Sequence, residues 1–592
     1  MFSIRFIQLF LFTLCTLGVG LLLVAICIEI DVINVVVFNW YKITKARGSK
    51  YMTDHRNKYD KYNRYLVTLV VLMCFVLVEF LSPLGQVSAS KGKFYVKDGV
   101  LTKYWGQESK VVIPDGVKEI GYEAFQANPY LKEVSIPKSV KKISRYAFMS
   151  CYNLTKINWN EGIEEIEFHA FRNCNKLKDI KFPKSIKYIG GRAFEGTAWM
   201  NKKKGFVIVN NILIQYNGKK KSITVPDGVK QISGFTFYDK FTEDKSWNGP
   251  VKVNLPNTII ELDEDAFNHC TDLREIQFNS EVEEIPDSCF NYCTSLKKIN
   301  IPNSVKRIGA FAFTHCTSLE EIALPKELRR IEDMAFGWCE LKHIELPSKL
   351  DYIENLAFTF NDNIKSITIP KYVKTIDSGA FEYCYNLEYI EFLSKKTIVE
   401  NDAFGNTSWL EKQNDEFIIV NDCLINYNGK SKSVIIPESV KYLNYMFDES
   451  IKDVTLPNGL VHIGGGAFSR TKIEKITIPK SVVSIGDYAF GDLKNIEKIV
   501  IPDNVKTIGK NAFSGCKNLR YIKLPKKLKS ITEDSFSFMS DVKIVVGDDT
   551  KIKLTEGNGD STVKFSKITI ACKKDSPAYK YAKKRGCKIK LQ

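Results

Sequence analysis

A phenylalanine that almost always follows a small residue returns at a nearly fixed interval along most of this chain. The spacing is 23 residues between successive copies from Phe125 to Phe194, and again from Phe267 to Phe336. A fixed period of this length predicts a solenoid, in which each repeat forms one coil and buries its apolar edge against the next coil. The seventeen copies are Phe125, Phe148, Phe171, Phe194, Phe237, Phe267, Phe290, Phe313, Phe336, Phe358, Phe381, Phe404, Phe447, Phe468, Phe490, Phe513 and Phe536.

An apolar residue followed by proline recurs in step with the phenylalanine. Of the 19 prolines, 14 occupy this place in the repeat. In the coil formed by residues 131–154, Val134 and Ile136 alternate with Ser135, as a half-buried strand requires. Proline has no N–H to donate to a strand ladder, so Pro137 ends the strand. The pattern therefore predicts one short strand per coil, directly before the proline.

The remainder of the coil completes its core. Val140 and Ile143 are expected to point inward from a second short strand or an extended edge. A short helical turn is then predicted to bury Ala147, Phe148 and Cys151. The alanine is needed because a larger side chain would hold neighbouring coils apart.

Two of the intervals between successive repeat phenylalanines are 43 residues long, from Phe194 to Phe237 and from Phe404 to Phe447. Both contain strand-like runs on either side of a turn, at Asn210-Asn211 and Asn421-Asp422, and a third copy turns at Asp98-Gly99. Each copy predicts a β-hairpin, so the solenoid should consist of three blocks that each open with a hairpin. A smaller insertion at residues 239–250 is predicted to be a surface loop.

The last 25 residues depart from the repeat and read as strand, short helix and strand. Asp575 or Ser576 is suited to cap the helix, Pro577 to its first turn and Gly586 to its end. A polar terminal cap of this kind protects the open end of a solenoid.

The repeat, L-x-x-I-x-I-P-x-x-V-x-x-I-x-x-x-A-F-x-x-C-x-x-L, resembles that of the BspA-like leucine-rich repeat proteins over roughly Phe94 to Phe536. The resemblance implies a repeat solenoid: a leucine-rich repeat right-handed superhelix of short parallel strands and short helical turns, with β-hairpin insertions and a small strand-helix-strand C-terminal cap. It also implies adhesion to host matrix proteins or other cells. Some positions depart from the pattern: Asn158-Trp159, Phe278-Asn279 and Phe392-Leu393 replace the apolar-Pro pair, and Thr236, Cys289, Met446 and Ser535 replace the alanine.

The N-terminal region, residues 1–89, is membrane-directed. Residues 4–28 are apolar and long enough to span a bilayer, and a second apolar run covers residues 65–81. The loop between them is basic, which predicts a cytoplasmic loop and an external solenoid. The alternative is that translation begins at Met52 and that the second run is a signal peptide cleaved after Ala89. Both interpretations export the solenoid, residues 90–545, and the cap, residues 546–592.

The net charge is +17, of which +4 lies in the first 89 residues. Lysines and acids are mixed along the repeats, which is typical of a solvated surface. The alternative is a weak attraction to anionic surfaces such as cell wall polymers or host glycans. No basic stripe with interleaved aromatic residues occurs, so a nucleic acid partner is not expected.

The cysteines and histidines indicate neither a disulfide framework nor a metal site. Eight cysteines follow the repeat phenylalanine by three residues, which predicts a ladder of buried, inert thiols. Cys572 and Cys587 flank the terminal helix, and whether they pair stays open. His269 and His315 recur two coils apart with Tyr292 between them, so four ligands do not converge and no metal or cofactor is expected.

No catalytic motif occurs in the sequence, and no enzymatic activity or small-molecule substrate is expected. The prediction is an exported, cell-surface or extracellular protein that binds an unknown protein or cell-surface glycan. It would remain tethered to the membrane if its N-terminal segments are retained. The alternatives are an envelope spacer or membrane-anchored scaffold and, less favoured, an accessory module of a secreted enzyme. Trp247, in the charged loop, is the candidate binding residue, because tryptophan often anchors interfaces. Trp199 and Trp409 recur at matching places and are expected to pack the hairpins onto the solenoid.

Overall fold

The computed structural model describes residues 93–237, 247–278, 282–537, 539, 542–546, 553–555 and 565–592. They form a β-solenoid whose strands pair in parallel from one coil to the next, which confirms the predicted fold class. The predicted membrane segments at 4–28 and 65–81, the start at Met52 and the cleavage site after Ala89 lie outside this part of the chain. Within it, no helix combines the length and the apolar character needed to cross a membrane.

The strands directly before the proline column form one face of the solenoid, here called the proline ladder. The prediction of such a strand in every coil is wrong for the coils of Pro183, Pro325, Pro347 and Pro479, which form single bridges or no strand at this place. In Glu133–Ser135, Val134 is buried between two partly exposed neighbours, as the alternation predicted. This strand pairs in parallel with Lys110–Val112 and Lys156–Asn158. The further strands of this ladder are Ser222–Thr224, Lys252–Asn254, Glu275–Gln277, Lys298–Ile299, Ser366–Ile369, Tyr389–Phe392, Ser433–Ile435, Asp453–Thr455, Lys498–Val500, Tyr521–Lys523 and Lys543–Val545.

The second strand of each coil is also present and forms the short ladder, which mostly contains two residues per coil. Lys142–Ile143 pairs in parallel with Glu119–Ile120 and Glu165–Ile166, and Ile143 is fully buried. Its other strands are Tyr188–Ile189, Gln231–Ile232, Glu261–Leu262, Glu284–Ile285, Arg307–Ile308, Arg330–Ile331, Tyr352–Ile353, Thr375–Ile376, Ile398–Val399, Tyr442–Leu443, His462–Ile463, Ser484–Ile485 and Thr507–Ile508. Past this ladder, Ser530–Thr532 pairs with Lys553–Thr555.

The segment around the repeat phenylalanine differs from the predicted helical turn. Tyr146 and Ser150, two residues before and after Phe148, have left-handed φ angles of 60° and 59°. The left-handed residues interrupt a helical path and turn alternate N–H groups toward the next coil. The N–H of Phe148 donates to the carbonyl of Ala170 at 2.8 Å, whereas the N–H of Ala147 bonds within its own coil. Two coils therefore approach at the alanine, which is why a small side chain is needed there.

The repeat phenylalanines form stacks through the core of the solenoid. The stacks run from Phe125 to Phe194, from Phe237 to Phe404 and from Phe447 to Phe513. Neighbouring rings lie 4.8–5.8 Å apart and at most 22° from parallel. Offset stacking of this kind stabilises an aromatic pair by about 0.5–1.5 kcal/mol beyond the burial of its surface.

All three predicted hairpins are present and antiparallel. They consist of Phe94–Lys97 with Val100–Tyr104, Gly205–Val209 with Ile212–Asn217, and Phe417–Val420 with Cys423–Tyr427. Both residues of each turn have positive φ, for example 47° at Asn210 and 67° at Asn211. A two-residue turn needs this conformation to follow the twist of its strands, and asparagine, aspartate and glycine adopt it most readily.

The hydrophobic core divides at the second and third hairpins. Ile214 packs with the core of the first block, and its neighbour Leu213 packs with that of the second. Ile425 and Leu424 divide in the same way between the second and third cores. Successive side chains of a strand point to opposite faces, so each hairpin strand forms a wall shared by two blocks.

The C-terminal cap consists of Thr569–Cys572, the helix Pro577–Arg585 and Lys588–Leu591, as predicted. Of the two residues suited to cap the helix, Ser576 does so: its hydroxyl accepts from the N–H of Tyr579 at 3.2 Å. Gly586 ends the helix with a φ of 71°. Elsewhere the described residues contain the short helix Ser408–Glu411 and the 3-10 turns Met200–Lys202, Glu533–Phe536 and Phe565–Lys567.

Candidate binding surface

The ladder cysteines have a structural role. Cys151 Sγ donates to the carbonyl of Phe125 at 3.1 Å, and Cys384 Sγ donates to that of Phe358 at 3.2 Å. Burial raises the pKa of both thiols to about 12, so they stay protonated and unreactive. Asn361 takes the same place in its coil and donates to the carbonyl of Phe336 at 2.7 Å. The prediction of inert, buried thiols is confirmed.

The other cysteine and histidine candidates show no arrangement for metal binding in the described chain. Cys572 is a buried free thiol, so the Cys572–Cys587 pair is not formed. His269 and His315 stack on the intervening Tyr292, with ring centroids 4.8 and 4.3 Å apart. No group of three or more histidine, cysteine, aspartate or glutamate side chains in these residues is placed to hold a metal ion.

Sequence reasoning missed that this histidine pair belongs to a row of six stacked rings, two residues after each repeat phenylalanine. Neighbouring centroids are 4.3–4.9 Å apart, so the faces of the inner rings are covered and ring edges point outward. The signal was present, because this position is aromatic or histidine in six consecutive coils. The rings are those of His269, Tyr292, His315, Trp338, Phe360 and Tyr383.

A column of four carboxylates follows the short ladder in four consecutive coils. Arg307 donates to Glu332 at 2.6 and 2.7 Å, and Arg330 pairs with Glu354. Asp377 and Glu400 continue the column. Burial, followed by repulsion from Glu354, raises the pKa of Asp377 to about 6, and burial, followed by repulsion from Asp377, raises that of Glu400 to about 7.

The outward side of the proline ladder presents different side chains from one coil to the next. Exposed positions include Lys156, Glu275 and Tyr389, and two apolar ones, Val112 and Ile435. Several of the charged ones pair across one coil: Lys252 Nζ lies 3.0 Å from Glu275. The buried residues of the same strands are almost all isoleucine or valine, so the coils vary on the outside over a uniform interior.

Two open depressions lie on this face. The depression in the second block has a volume of about 1300 Å³ and is lined by Lys298, Glu321, Leu324, His343 and Leu346, among others. The strand ladder is reduced here to single bridges between Asn300 and Ala323 and between Glu321 and His343.

The third block has the other depression, of about 1010 Å³, lined among others by Ile476, Lys498, Val500, Asn504 and Lys523. Both depressions lie beside shortened coils. Phe336 and Phe358 are 22 residues apart, and so are Phe468 and Phe490. Neither of these two coils forms a full strand before its proline, which leaves the outward face open there.

Trp247 lies at the end of its insertion and is half-buried rather than free. Its indole N–H donates to the carbonyl of Phe237 at 3.3 Å, and its ring packs against the core of the second block. Lys221 Nζ lies 5.1 Å from the ring centre. These contacts give Trp247 a packing role, and its binding role stays a prediction.

Trp199 and Trp409 pack as the sequence predicted. Trp199 lies 5.9 Å from Phe194 and Trp409 lies 5.5 Å from Phe404, both in edge-to-face geometry. Each ring therefore covers the last phenylalanine of its stack, directly before the next hairpin.

Comparison with known proteins agrees with this architecture. The family described as BspA type leucine rich repeat region (6 copies) matches residues 104–212, 208–307, 247–327, 283–411 and 418–544. No curated protein matches the chain in sequence.

Several solved structures are similar. A leucine-rich repeat protein from Bacteroides ovatus is 21% identical and covers 79% of this chain and 100% of its own, with a TM-score of 0.26. The pneumococcal vaccine antigen PcpA is 21% identical, covering 65% of this chain and 95% of its own, with a TM-score of 0.29. A leucine rich cell surface protein from Faecalibacterium prausnitzii is 18% identical, covering 80% and 96%, with a TM-score of 0.20. Since the family match spans more than half of the residues and coincides with the observed coils, this chain belongs to the BspA-type leucine-rich repeat family.

Proposed function

We propose that this chain is an exported, surface-displayed, non-enzymatic binding protein that holds another protein or a cell-surface glycan against its proline ladder. The observation that carries the proposal is the outward side of that ladder, where exposed side chains change from coil to coil over a constant core. A regular scaffold with a variable face binds through many modest contacts over a large area.

The depression in the second block is the best-suited place on this face. Leu324 and Leu346 are half-buried within it, and Lys298, Glu321 and Glu345 surround them with charges of both signs. Protein interfaces commonly combine an apolar centre with a polar rim, and charges of both signs favour a partner of complementary pattern.

Export and display are supported by the apolar segments at residues 4–28 and 65–81 and by the basic loop between them. The family resemblance supports adhesion as the purpose of display. The partner would then be met outside the cell.

The test uses the full-length protein against immobilised extracellular-matrix proteins and cell-surface glycans. Tyr389→Ala removes an exposed ring from the proline ladder, and the double variant Lys298→Glu, Glu321→Lys reverses charges in the depression. Tyr488→Ala is the matched control, because Tyr488 is similarly exposed (52% against 60%) but lies at the phenylalanine turn. We expect at least one of the two ladder variants to bind a partner about fivefold more weakly, with the control unchanged.

Other outcomes would contradict the proposal. If the ladder variants and the control lost affinity to the same extent, the proline ladder would not be the binding face. Binding only to the producing cell's own wall would favour an envelope spacer, and turnover of a glycan or peptide would favour a role in a secreted enzyme.

A further inference from the structure

Basic residues crowd the last part of the C-terminal cap. Residues 565–592 contain nine lysines and arginines and a single acid, Asp575, so this short segment carries +8 of the chain's +17. The basic residues are Lys567, Lys573, Lys574, Lys580, Lys583, Lys584, Arg585, Lys588 and Lys590.

The fold of the cap directs most of these charges outward. The helix Pro577–Arg585 buries Ala578 and Ala582 against the third core, which leaves Lys580 and Lys583 exposed. The strand Lys588–Leu591 is exposed along its whole length. It is the last strand of its sheet, and so a free edge within the described chain.

Several lysines elsewhere on the solenoid pair with an acid one coil away. Lys156 lies 3.0 Å from Glu133, and Lys349 lies 2.6 Å from Glu327. In contrast, no ion pair among the described residues involves Lys573, Lys574, Lys580, Lys583, Lys588 or Lys590. A helix C-terminus favours nearby cations, which accounts for Lys583, but Lys573, Lys588 and Lys590 lie outside the helix. Helix stability therefore does not explain the whole cluster.

The charge continues from the cap onto the proline ladder. Lys543 and Lys498 lie 6.0 and 5.4 Å from the ring centre of Tyr521, one on each neighbouring strand. Lys523 and Lys498 also line the depression of the third block. Lysines thus continue from the cap onto the coils before it, although Glu474, Glu497 and Asp503 also line the depression. A row of lysines spread over several coils suits an extended anion better than a compact one.

The types of side chain on the cap indicate which class of anion it could bind. Lysine is a strongly hydrated point charge, which suits charge neutralisation more than bidentate recognition. Tyr579 and Tyr581, the two rings of the cap helix, pack against the third core instead of forming an outward surface on which bases stack. The buried side of the helix faces the core, so it provides no apolar face to insert between lipids.

We infer that the C-terminal cap binds a linear acidic polysaccharide through its sulfate or carboxylate groups. The cap surface is distinct from the depression in the second block, and the inference does not depend on the proposed function. Each lysine that neutralises an anionic group releases counterions, so affinity falls steeply with salt.

The test measures binding of the full-length protein to heparin, a sulfated polysaccharide, at 50 and 200 mM NaCl. The cap variant carries Lys→Gln at positions 573, 580, 583, 588 and 590. The control variant carries Lys→Gln at five exposed lysines of the first block, at positions 97, 118, 138, 178 and 181, and so has the same net charge. A third variant places arginine at the five cap positions and retains the charge.

We expect the cap variant to bind heparin at least about tenfold more weakly and with a shallower salt dependence, while the control stays within about twofold and the arginine variant retains affinity. Equal losses in the cap and control variants would overturn the inference, because net charge alone would then explain binding. Tighter binding of double-stranded DNA, polyphosphate or phosphatidylserine vesicles than of heparin would overturn the choice of polysaccharide.

Discussion

Position within the coil decides what each side chain does. Phe313 and Phe311 are only two residues apart, yet Phe313 is fully buried in the ring stack and Phe311 is 40% exposed at a left-handed φ of 58°. Cysteine shows the same dependence on position, because the buried thiols of the ladder donate a hydrogen bond to a backbone carbonyl of the preceding coil. Residue identity alone does not separate these roles, but the place in the period does.

Phe313→Ala should lower the free energy of unfolding by about 3–5 kcal/mol, because it removes one ring from the middle of a stack and leaves a cavity. Phe311→Ala is the control and should change it by less than about 1 kcal/mol. Urea unfolding followed by circular dichroism measures both. Similar effects of the two substitutions would contradict the buried stack.

Glu400→Gln should stabilise the protein at pH 8. The raised pKa, about 7, means that the folded state binds this proton more tightly than the unfolded state, whose pKa is about 4.3. The stability contributed by the protonated carboxyl is therefore present below pH 4 and is lost as the pH rises through 7. The free energy of unfolding of the variant should exceed that of the wild type by near zero at pH 4 and by roughly 1–3 kcal/mol at pH 8.

Urea unfolding across this pH range measures the effect. Glu391→Gln, at an exposed position on the proline ladder, is the control and should give no such trend. If the difference in unfolding free energy between Glu400→Gln and the wild type did not vary with pH, the Glu400 carboxyl would be ionised normally in the folded protein.

Trp247→Ala should lower the melting temperature by a few degrees, because the indole packs on the second core and donates to Phe237. Trp247→Phe keeps part of the ring contact and should lose less. Thermal unfolding measures both variants. If Trp247→Ala left the melting temperature unchanged but weakened partner binding, the residue would be a ligand contact instead.

At the scale of elements, the three hairpins share a backbone but differ in what their outer faces meet. Val209 and Ile214 of the second hairpin are buried against the first block, whereas the equivalent places in the first hairpin hold Lys97 and Thr102. Tyr95 of the first hairpin is also 51% exposed. The first hairpin thus carries polar residues where its copies are apolar, as suits an end of the solenoid that faces water.

Val209→Lys, which copies the residue of the first hairpin, should destabilise the junction between the first two blocks by at least about 2 kcal/mol, because it buries an unpaired charge. Val112→Lys is the control, since Val112 is a strand valine that is 72% exposed. Thermal unfolding measures the effect. A tolerated lysine at position 209 would show that the hairpin does not seal the junction.

The solenoid contains three hydrophobic cores that meet at shared hairpin strands. We therefore expect a destabilising substitution in one core to act locally and not uniformly along the solenoid. The stability of a stacked repeat depends on each coil and on its contacts with neighbouring coils. A destabilising substitution should therefore act mainly within its own block.

Phe490→Ala should therefore speed amide hydrogen exchange in the third block and leave the first block unchanged. Phe148→Ala should give the opposite distribution and serves as its matched counterpart. Hydrogen exchange read by mass spectrometry resolves the two blocks. Loss of protection throughout the chain in either variant would show that the cores unfold as one unit.

The sequence by itself determined the solenoid, the strand before most of the prolines, the buried phenylalanines, the hairpins and the terminal cap. These features follow from periodicity and turn chemistry, which act over a few residues and repeat many times. Only the tertiary structure decided the left-handed phenylalanine turn, the thiol bonds to the preceding coil, the raised pKa values of Asp377 and Glu400, the six-ring row and the two depressions. Each of these depends on which residues of neighbouring coils face each other, and a shift of one or two residues in coil length changes that register.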